Sequence, residues 1–259
     1  MEQKFAICRV AVSPLRAEAS DKAEICTQLL FGDAVEILER REPWWFVRNA
    51  YDSYEGWVDL KQLLAVPAEA YQAAVQSRDL VPPGISFPVV AEDGSTFYLP
   101  SSATLPRISG SSVFLGKQKF ILQFEPSRPG AVYGQLIHAL ALSFLNAPYL
   151  WGGRTVFGID CSGFSQAVFK LAGIPVKRDA AQQAEQGSTV DFLPEVQTGD
   201  LAFFDNAEGR IIHVGIMLSQ DKIIHASGRV RIDPVDDQGI YNTELGRYTH
   251  RLRIIKRFF

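Results

Sequence analysis

Cys161 is the residue whose setting most strongly suggests chemistry. It lies in the segment Tyr149–Gly173, YLWGGRTVFGIDCSGFSQAVFKLAG, where a glycine-rich stretch gives way to a helical pattern. If a helix begins near Ser162, the unpaired N–H groups and the dipole of its first turn favour a negative charge on Cys161. The same N–H groups could hold the oxyanion that forms when a thiolate attacks an amide carbonyl. The sequence therefore predicts a nucleophilic cysteine whose pKa is lowered, rather than a cysteine of the core.

A thiolate nucleophile needs a base, and the chain has only four histidines. Two of them belong to the segment RIIHVGIMLSQDKIIHAS, which predicts a β-hairpin with its turn at Ser219–Asp221. Folding there brings His213 and His225 within about one position of directly opposite, so that one imidazole could orient the other as a base. His138 and His250 are interpreted as ordinary helix and strand residues.

A metal site is the alternative interpretation of this set of residues. Cysteine and histidine are both zinc ligands, so Cys161, His213 and His225 could contribute three of the four ligands of a structural site. No fourth ligand occurs at a nearby spacing, and no C-x-x-C pair is present. Nucleophilic catalysis without a metal or other cofactor is therefore the favoured hypothesis.

The composition is that of an ordinary globular protein. The 259 residues are 47% hydrophobic and 21% charged, with a net charge of −3. Nothing indicates capture of nucleic acid or of an anionic membrane, and no apolar run approaches the ~18 residues of a membrane helix. We expect a monomer. The three cysteines, Cys8, Cys26 and Cys161, cannot all pair with one another, which favours a reducing compartment.

The beginning of the chain imitates a secretory signal. FAICRVAVSPLRAEAS combines an apolar stretch with the small-residue pattern Ala17–Ala19. Arg9 interrupts that stretch and Pro14 ends it, so we interpret AICRVAVSPL as a first β-strand. If Met1 is the native start, this predicts a cytoplasmic protein; if it is not, a periplasmic or secreted location is expected.

Apolar runs and turn signals divide the chain into four segments. Residues 1–66 and 81–127 combine short apolar runs with turn residues, which is typical of small all-β barrels. Residues 67–80 have a helix-forming composition and are interpreted as a linker. Residues 128–259 begin with helical spacing and end in strands, which indicates an α+β domain with helices packed on an antiparallel sheet.

Five blocks of sequence follow one another as they do in a known family. They are PYLWGGRTVFGIDCSGF, RDAAQQ, TGDLAFF, HVGIML and IIHASG, between about residues 130 and 240. On these blocks the chain resembles the NlpC/p60 cysteine peptidases, papain-like enzymes that cut peptidoglycan peptides. The resemblance implies that Cys161 is the nucleophile, His213 the general base and His225 the residue that orients the base.

The resemblance also implies which residues around the cysteine bind substrate. Tyr149 matches a family tyrosine whose hydroxyl lies beside the reaction centre, and Asp160 matches an aspartate that helps to hold the substrate. Trp151, Ser162 and Arg178 are the remaining substrate-binding candidates of this region.

The first 125 residues resemble the pair of bacterial SH3-like domains that precedes the catalytic domain in one subgroup of the family. In that subgroup the first domain binds the free amino group of the L-Ala that begins the peptide, and the matching residues here are Glu24 and Tyr54. A carboxylate and a phenol at one end of a cleft would select a cationic amine. The alternative interpretation is a solvated charge at Glu24 and a turn residue at Tyr54.

The implied activity is hydrolysis of the bond between γ-D-glutamate and a diamino acid, such as diaminopimelate, in murein peptides with a free N-terminal L-Ala. The implied role of this activity is the recycling of cell-wall peptides. How the D-Glu carboxylate is held stays open, because Ala180 and Ala181 stand where many relatives carry serine. Two alternatives also stay open, a secreted hydrolase of intact peptidoglycan and a catalytically idle protein that binds murein peptides.

Overall fold

The computed structural model describes residues 3–130 and 133–259. The chain forms two compact units, Met1–Pro129 and Gly130–Phe259. Among the described residues, no helix is long and apolar enough to cross a membrane. Cys161 is a free thiol.

The first unit begins with a seven-stranded antiparallel sheet. Its strands are β1 (Phe5–Cys8), β2 (Val12–Arg16), β3 (Ile25–Leu30), β4 (Ala34–Arg41), β5 (Trp44–Asn49), β6 (Glu55–Asp59) and β7 (Leu63–Val66), in the order β3-β2-β6-β5-β4-β1-β7. The apolar beginning of the chain, predicted to be one strand, therefore forms two.

A second antiparallel sheet completes this unit after the helix α1 (Ala68–Gln76). Its strands are β8 (Phe87–Ala91), β9 (Thr96–Leu99), β10 (Ile108–Ser109), β11 (Ser112–Leu115) and β12 (Gln118–Leu122), in the order β10-β11-β12-β8-β9. Neither sheet closes on itself, so the predicted barrels are open sheets of SH3-like form.

The two sheets of the first unit share one hydrophobic core. Phe31, which follows β3, is fully buried and contacts residues of the second sheet. Its ring lies edge-on to Phe120 with centroids 5.4 Å apart, and 5.9 Å from the ring of Phe97. Aromatic pairs in this geometry add to the free energy gained from burial.

Among its described residues, the second unit contains three α-helices and a small hairpin. They are α2 (Tyr133–Leu142), the hairpin of β13 (Arg154–Thr155) and β14 (Gly158–Ile159), α3 (Cys161–Ala172) and α4 (Ala180–Ala184). All twelve residues of α3 are buried, and the helix ends at Gly173 in the left-handed conformation with φ 82°. The predicted helix beginning beside Cys161 is thus confirmed.

The sheet of the second unit is antiparallel, as predicted. Its strands are β15 (Ser188–Val190), β16 (Leu201–Asp205), β17 (Ile211–Met217), β18 (Lys222–Ser227), β19 (Arg229–Pro234), β20 (Gly239–Asn242) and β21 (Arg247–Arg257). The order is β15-β21-β16-β17-β18-β19, and β20 pairs with β21.

The hairpin of β17 and β18 forms, but its register differs from the predicted one. Gly215 lies opposite His225, so the centre of the turn is Gln220, one residue later than expected. Continuing this register would place residue 227 opposite His213. His213 and His225 are consequently diagonal neighbours on one face of the sheet, a separation that long side chains can still bridge.

Truncating Phe31 tests the shared core of the first unit. We expect Phe31→Ala to lower the free energy of unfolding by about 3–5 kcal/mol, because it leaves a cavity between two sheets. The measurement is urea-induced unfolding followed by circular dichroism. Ile85→Ala is the control, because Ile85 is exposed and its truncation should change stability by no more than about 0.5 kcal/mol. Equal effects of the two substitutions would contradict the shared core.

Candidate active site

Asp160 fixes the beginning of α3. Its backbone is extended and its carboxylate accepts a hydrogen bond from the Gly163 amide at 2.6 Å, the arrangement of a helix N-cap. The other carboxylate oxygen accepts from the Gly152 amide at 2.8 Å. One side chain therefore ties the helix that begins with Cys161 to the glycine-rich loop before it.

Arg178 completes this buried network. Its guanidinium donates to both oxygens of Asp160, at 3.0 and 2.6 Å, and to the hydroxyl of Ser162 at 2.9 Å. Only 1% of the Arg178 side chain is exposed. Asp160, Ser162 and Arg178, predicted to bind substrate, thus hold one another in place, and a direct contact of any of them with substrate stays a prediction.

The glycine-rich loop approaches α3 as closely as expected. A Cβ on Gly163 would lie 2.3 Å from the carbonyl oxygen of Gly153 and 3.0 Å from the Asp160 carboxylate. Any side chain at this position would push the loop away from the helix. Gly163 therefore allows the close packing that places Cys161.

Cys161 is buried where α3 meets β17. Its sulfur accepts hydrogen bonds from the backbone of Ser162 and of Val214, and the nitrogen of Val214 belongs to the peptide bond that follows His213. Burial and the nearby Asp160 nevertheless raise the pKa of the Cys161 thiol from 9.0 to about 11, against the influence of these hydrogen bonds and of Arg178. The predicted lowering is wrong, because the desolvation of a charge at this site outweighs the helix N-terminus.

Tyr149 lies near the cysteine, as the resemblance implies. Burial and the proximity of Cys161 and Asp160 raise the pKa of Tyr149 to about 12, so its hydroxyl stays protonated and able to donate a hydrogen bond. Trp151, two residues further on, is largely exposed. Its contact with substrate stays a prediction.

A chain of hydrogen bonds connects three side chains of the sheet. His213 Nε2 lies 2.8 Å from His225 Nδ1, and His225 Nε2 lies 3.0 Å from Asp233 Oδ2. The ionised carboxylate of Asp233 can only accept, so His225 carries a proton on Nε2, and a neutral His225 accepts on Nδ1. His213 must then donate from Nε2, which leaves the lone pair of a neutral His213 on Nδ1. Asp233 thus sets the tautomer of both imidazoles.

Arg231 keeps this carboxylate ionised. Its guanidinium contacts both oxygens of Asp233 at 2.8 and 2.9 Å, and in turn binds Glu244 at 2.9 Å. Together with His225, Arg231 lowers the pKa of Asp233 in spite of its burial. Asp233 and Arg231 are not among the residues predicted from the sequence. Their signal is the turn at Gly228, which places Arg231 opposite His225.

Gly215 provides the space for the two imidazole rings. It lies directly opposite His225, and a Cβ on it would meet the Cβ of His225 at 2.9 Å and Ile223 at 2.6 Å. The absent side chain lets His225 extend diagonally towards His213.

His250 was interpreted as an ordinary residue, but it packs directly on His213. The two rings are stacked with centroids 4.2 Å apart and an interplanar angle of 27°. Burial, His225 and His250 hold the pKa of His213 well below its ordinary value of 6.5, and burial lowers that of His250 to about 4. Both rings are therefore neutral near pH 7, and His213 can accept a proton.

The remaining predicted residues lie in other parts of the fold. Glu24 and Tyr54 belong to the first unit, where they immediately precede β3 and β6. These strands flank the end of β2, since Arg16 pairs with both Ile25 and Trp57. Their role in binding an amine stays a prediction. Across the residues that the structure describes, no group of His, Cys, Asp and Glu is arranged to hold a metal ion.

The antiparallel sheet and buried central helix of the second unit are those of the papain-like class. Residues 146–248 match the NlpC/P60 family, and residues 15–63 match the bacterial dipeptidyl-peptidase SH3 domain. The gamma-D-glutamyl-L-lysine dipeptidyl-peptidase of Bacillus subtilis (strain 168) is 31% identical over 231 residues, which cover 78% of this chain and 72% of that protein. The chain belongs to the NlpC/P60 family, and it is a peptidase.

Two further relatives cover almost the whole chain. Dipeptidyl-peptidase 6 of Lysinibacillus sphaericus is 27% identical over 261 residues, which cover 90% of this chain and 92% of that protein. The crystal structure of an NlpC/P60 family protein from Bacillus cereus ATCC 10987 matches with a TM-score of 0.81 at 21% identity, over 98% of this chain and 99% of that one. This structural likeness shows a shared fold.

Removing Arg178 tests the network that places Cys161. We expect Arg178→Gln to lower the free energy of unfolding by about 3–5 kcal/mol, because the buried carboxylate of Asp160 loses its charged partner. Urea-induced unfolding followed by circular dichroism measures the change. Arg229→Gln is the matched control, since the ion pair of Arg229 with Glu244 is exposed and should contribute about 0–1 kcal/mol. A loss no larger than that of the control would contradict the importance of the buried pair.

Proposed function

We propose that the protein is a cysteine peptidase that hydrolyses the γ-D-glutamyl–diamino acid bond of murein peptides with a free N-terminal L-Ala, in the recycling of cell-wall peptides. The observation that supports this most directly is the hydrogen-bonded line from Asp233 through His225 to His213, whose next residue, Val214, donates its backbone N–H to the sulfur of Cys161. The name of the B. subtilis relative, a gamma-D-glutamyl-L-lysine dipeptidyl-peptidase, supports the type of bond.

The proposed reaction begins from a neutral thiol and a neutral imidazole. Nδ1 of His213 takes the proton of Cys161 as the sulfur attacks the carbonyl carbon of the γ-glutamyl bond. Because the thiol pKa is raised and the imidazole pKa is lowered, proton transfer accompanies the attack and no thiolate accumulates beforehand. We expect the backbone N–H of Cys161, at the start of α3, and the hydroxyl of Tyr149 to stabilise the oxyanion.

The tetrahedral intermediate collapses when the amine leaves. His213 returns its proton to the nitrogen of the diamino acid, the C–N bond breaks, and a thioester of Cys161 remains. Water then attacks the thioester and gives one proton to His213. The C–S bond breaks, the carboxylic acid is released, and His213 returns the proton to the sulfur, which regenerates the thiol. During both steps the cation on His213 is stabilised through His225 by the carboxylate of Asp233.

Replacing the nucleophile provides the first test. We expect Cys161→Ala to reduce the release of diamino acid from L-Ala-γ-D-Glu-diaminopimelate and from the L-lysine analogue on the order of 10⁴-fold or more. Mass spectrometry of the products measures the release. Cys26→Ala removes a thiol from the first unit and should leave turnover unchanged. Undiminished turnover in the Cys161 variant would exclude cysteine catalysis, and no turnover in the unsubstituted protein would favour a peptide-binding role.

A comparison of substrates tests the requirement for a free amine. The proposal predicts that the tripeptide is cleaved and that the same peptide linked through its amino group to N-acetylmuramic acid is not. The measurement is kcat/KM for each compound. Preferential cleavage of the muramyl-linked peptide would instead support a hydrolase of intact wall.

The pH dependence of kcat/KM tests His213 as the base. A base must be neutral, and the pKa of His213 lies well below 6.5, so lowering the pH from about 8 to about 6.5 should not protonate it. We expect the acid limb of kcat/KM to have its midpoint below pH 6.5. His138→Ala is the control and should not move this limb. A midpoint above 6.5 would contradict a buried, neutral His213 as the base.

A further inference from the structure

The leaving amine must come close to His213. In the proposed reaction His213 returns the proton of Cys161 to the nitrogen of the departing diamino acid, which requires hydrogen-bond distance between them. The leaving residue therefore occupies space on the His213 side of the bond that breaks. Any cleft beside this imidazole is a candidate for its binding site.

A charged cleft begins at the ring that packs on His213. It has a volume of about 760 Å³, and its walls include His250, most of the β21 segment from Tyr248 to Arg253, the end of β16 and the loop before β20. The His250 ring lies 4.2 Å from that of His213, so one imidazole separates the base from the cleft. This volume is within the range of small-molecule sites.

The cleft contains a cation, Arg253, that interacts only weakly with the rest of the protein. Arg251 donates hydrogen bonds to both oxygens of Asp205, at 2.8 and 2.9 Å. The charge of the Asp205 carboxylate is therefore already neutralised. Arg253 comes no closer to Asp205 than 3.8 Å, and 65% of its side chain is exposed. Arg253 is therefore available for a carboxylate of a ligand, to which a guanidinium can donate two parallel hydrogen bonds.

The same cleft offers an anion. Asp237 is exposed at its rim, and among the described residues no hydrogen bond or ion pair involves its carboxylate. Its neighbour Asp236, in contrast, accepts a hydrogen bond from the Tyr248 hydroxyl. An anion and a cation in one cleft match a ligand that carries both an ammonium group and a carboxylate.

We propose that this cleft binds the diamino acid that leaves, with Arg253 receiving its α-carboxylate and Asp237 receiving its side-chain ammonium group. The inference rests on the proposed function and extends it, because it assigns the specificity for the leaving residue to β21 and the loop before β20. It also makes His250, which packs on the base, part of the wall that the leaving residue contacts.

The test compares three substrates that differ only beyond the bond that breaks: L-Ala-γ-D-Glu-L-Lys, its C-terminal amide, and L-Ala-γ-D-Glu p-nitroanilide. We expect the unsubstituted protein to favour the free acid over the amide by about ten- to a hundredfold in kcat/KM. Arg253→Gln should abolish this preference, so that the free acid and the amide have about equal kcat/KM. The same substitution should leave hydrolysis of the anilide unchanged. Arg247→Gln, an exposed arginine of β21 outside the cleft, should change neither.

The role of Asp237 has its own comparison. Asp237→Asn should lose the preference for L-lysine over L-norleucine as leaving residue, again with the anilide unaffected. Anilide hydrolysis also shows that each variant is folded. If Arg253→Gln keeps the full preference for the free acid, or if the unsubstituted protein has none, the cleft is not the binding site. If the unsubstituted protein cleaves none of the three substrates, the proposed function itself fails.

Discussion

The buried ion pair of Asp160 and Arg178 is the interaction on which the position of Cys161 depends. Burying a carboxylate and a guanidinium is expensive unless every oxygen and nitrogen finds a partner, so the pair tolerates few alternative geometries. Asp160 satisfies an orphan amide of α3 and an amide of the Gly152 loop while Arg178 neutralises it. The glycine-rich loop and helix α3 are therefore held together by Asp160. Cys161 is the next residue in the chain, so its position is fixed with them.

A second buried carboxylate orders the other half of the site. Asp160 fixes the position of the Cys161 sulfur, whereas Asp233 determines where the histidines carry their protons. Its ionised oxygens can only accept hydrogen bonds, and this selects the tautomers of neutral His225 and His213. Burial disfavours charge on both reacting groups, which raises the pKa of the thiol and lowers that of the imidazole. The resting thiol and the imidazole of His213 are uncharged, and a buried ion pair lies on either side of them, Asp160 with Arg178 and Asp233 with Arg231. Such an arrangement stabilises charge only when it develops, as electrostatic preorganisation requires.

The helix beginning at Cys161 and the paired histidines were predictable because their signals are local. An aspartate before a helical pattern, a glycine in the first turn and two histidines around one turn need no knowledge of distant strands. Asp233 and His250 were missed because their positions depend on pairing between strands. A hairpin register that is wrong by one residue turns a side chain to the opposite face, so these positions are hard to derive from spacing. The first hairpin shows a related difficulty. Moving its centre by one residue, to Gln220, shifts the pairing by two residues, so His213 and His225 stay on one face but become diagonal neighbours. The turn at Gly228 repeats the pattern, because Arg231 lies opposite His225 and Asp233 is its diagonal neighbour.

In the proposed function, the placement of His250 connects the base, His213, to the selection of the leaving residue. Its ring shields one face of His213 and forms part of the wall of the charged cleft. A residue bound in that cleft contributes binding energy only until its bond to the acyl group breaks, because afterwards it diffuses away. Contacts at Arg253 and Asp237 can therefore lower the barrier to formation of the thioester but not the barrier to its hydrolysis. Groups that hold the acyl part act in both steps. Selection by the cleft should consequently be expressed in kcat/KM for acylation, while kcat approaches a common value for all leaving residues wherever hydrolysis of the shared thioester limits turnover.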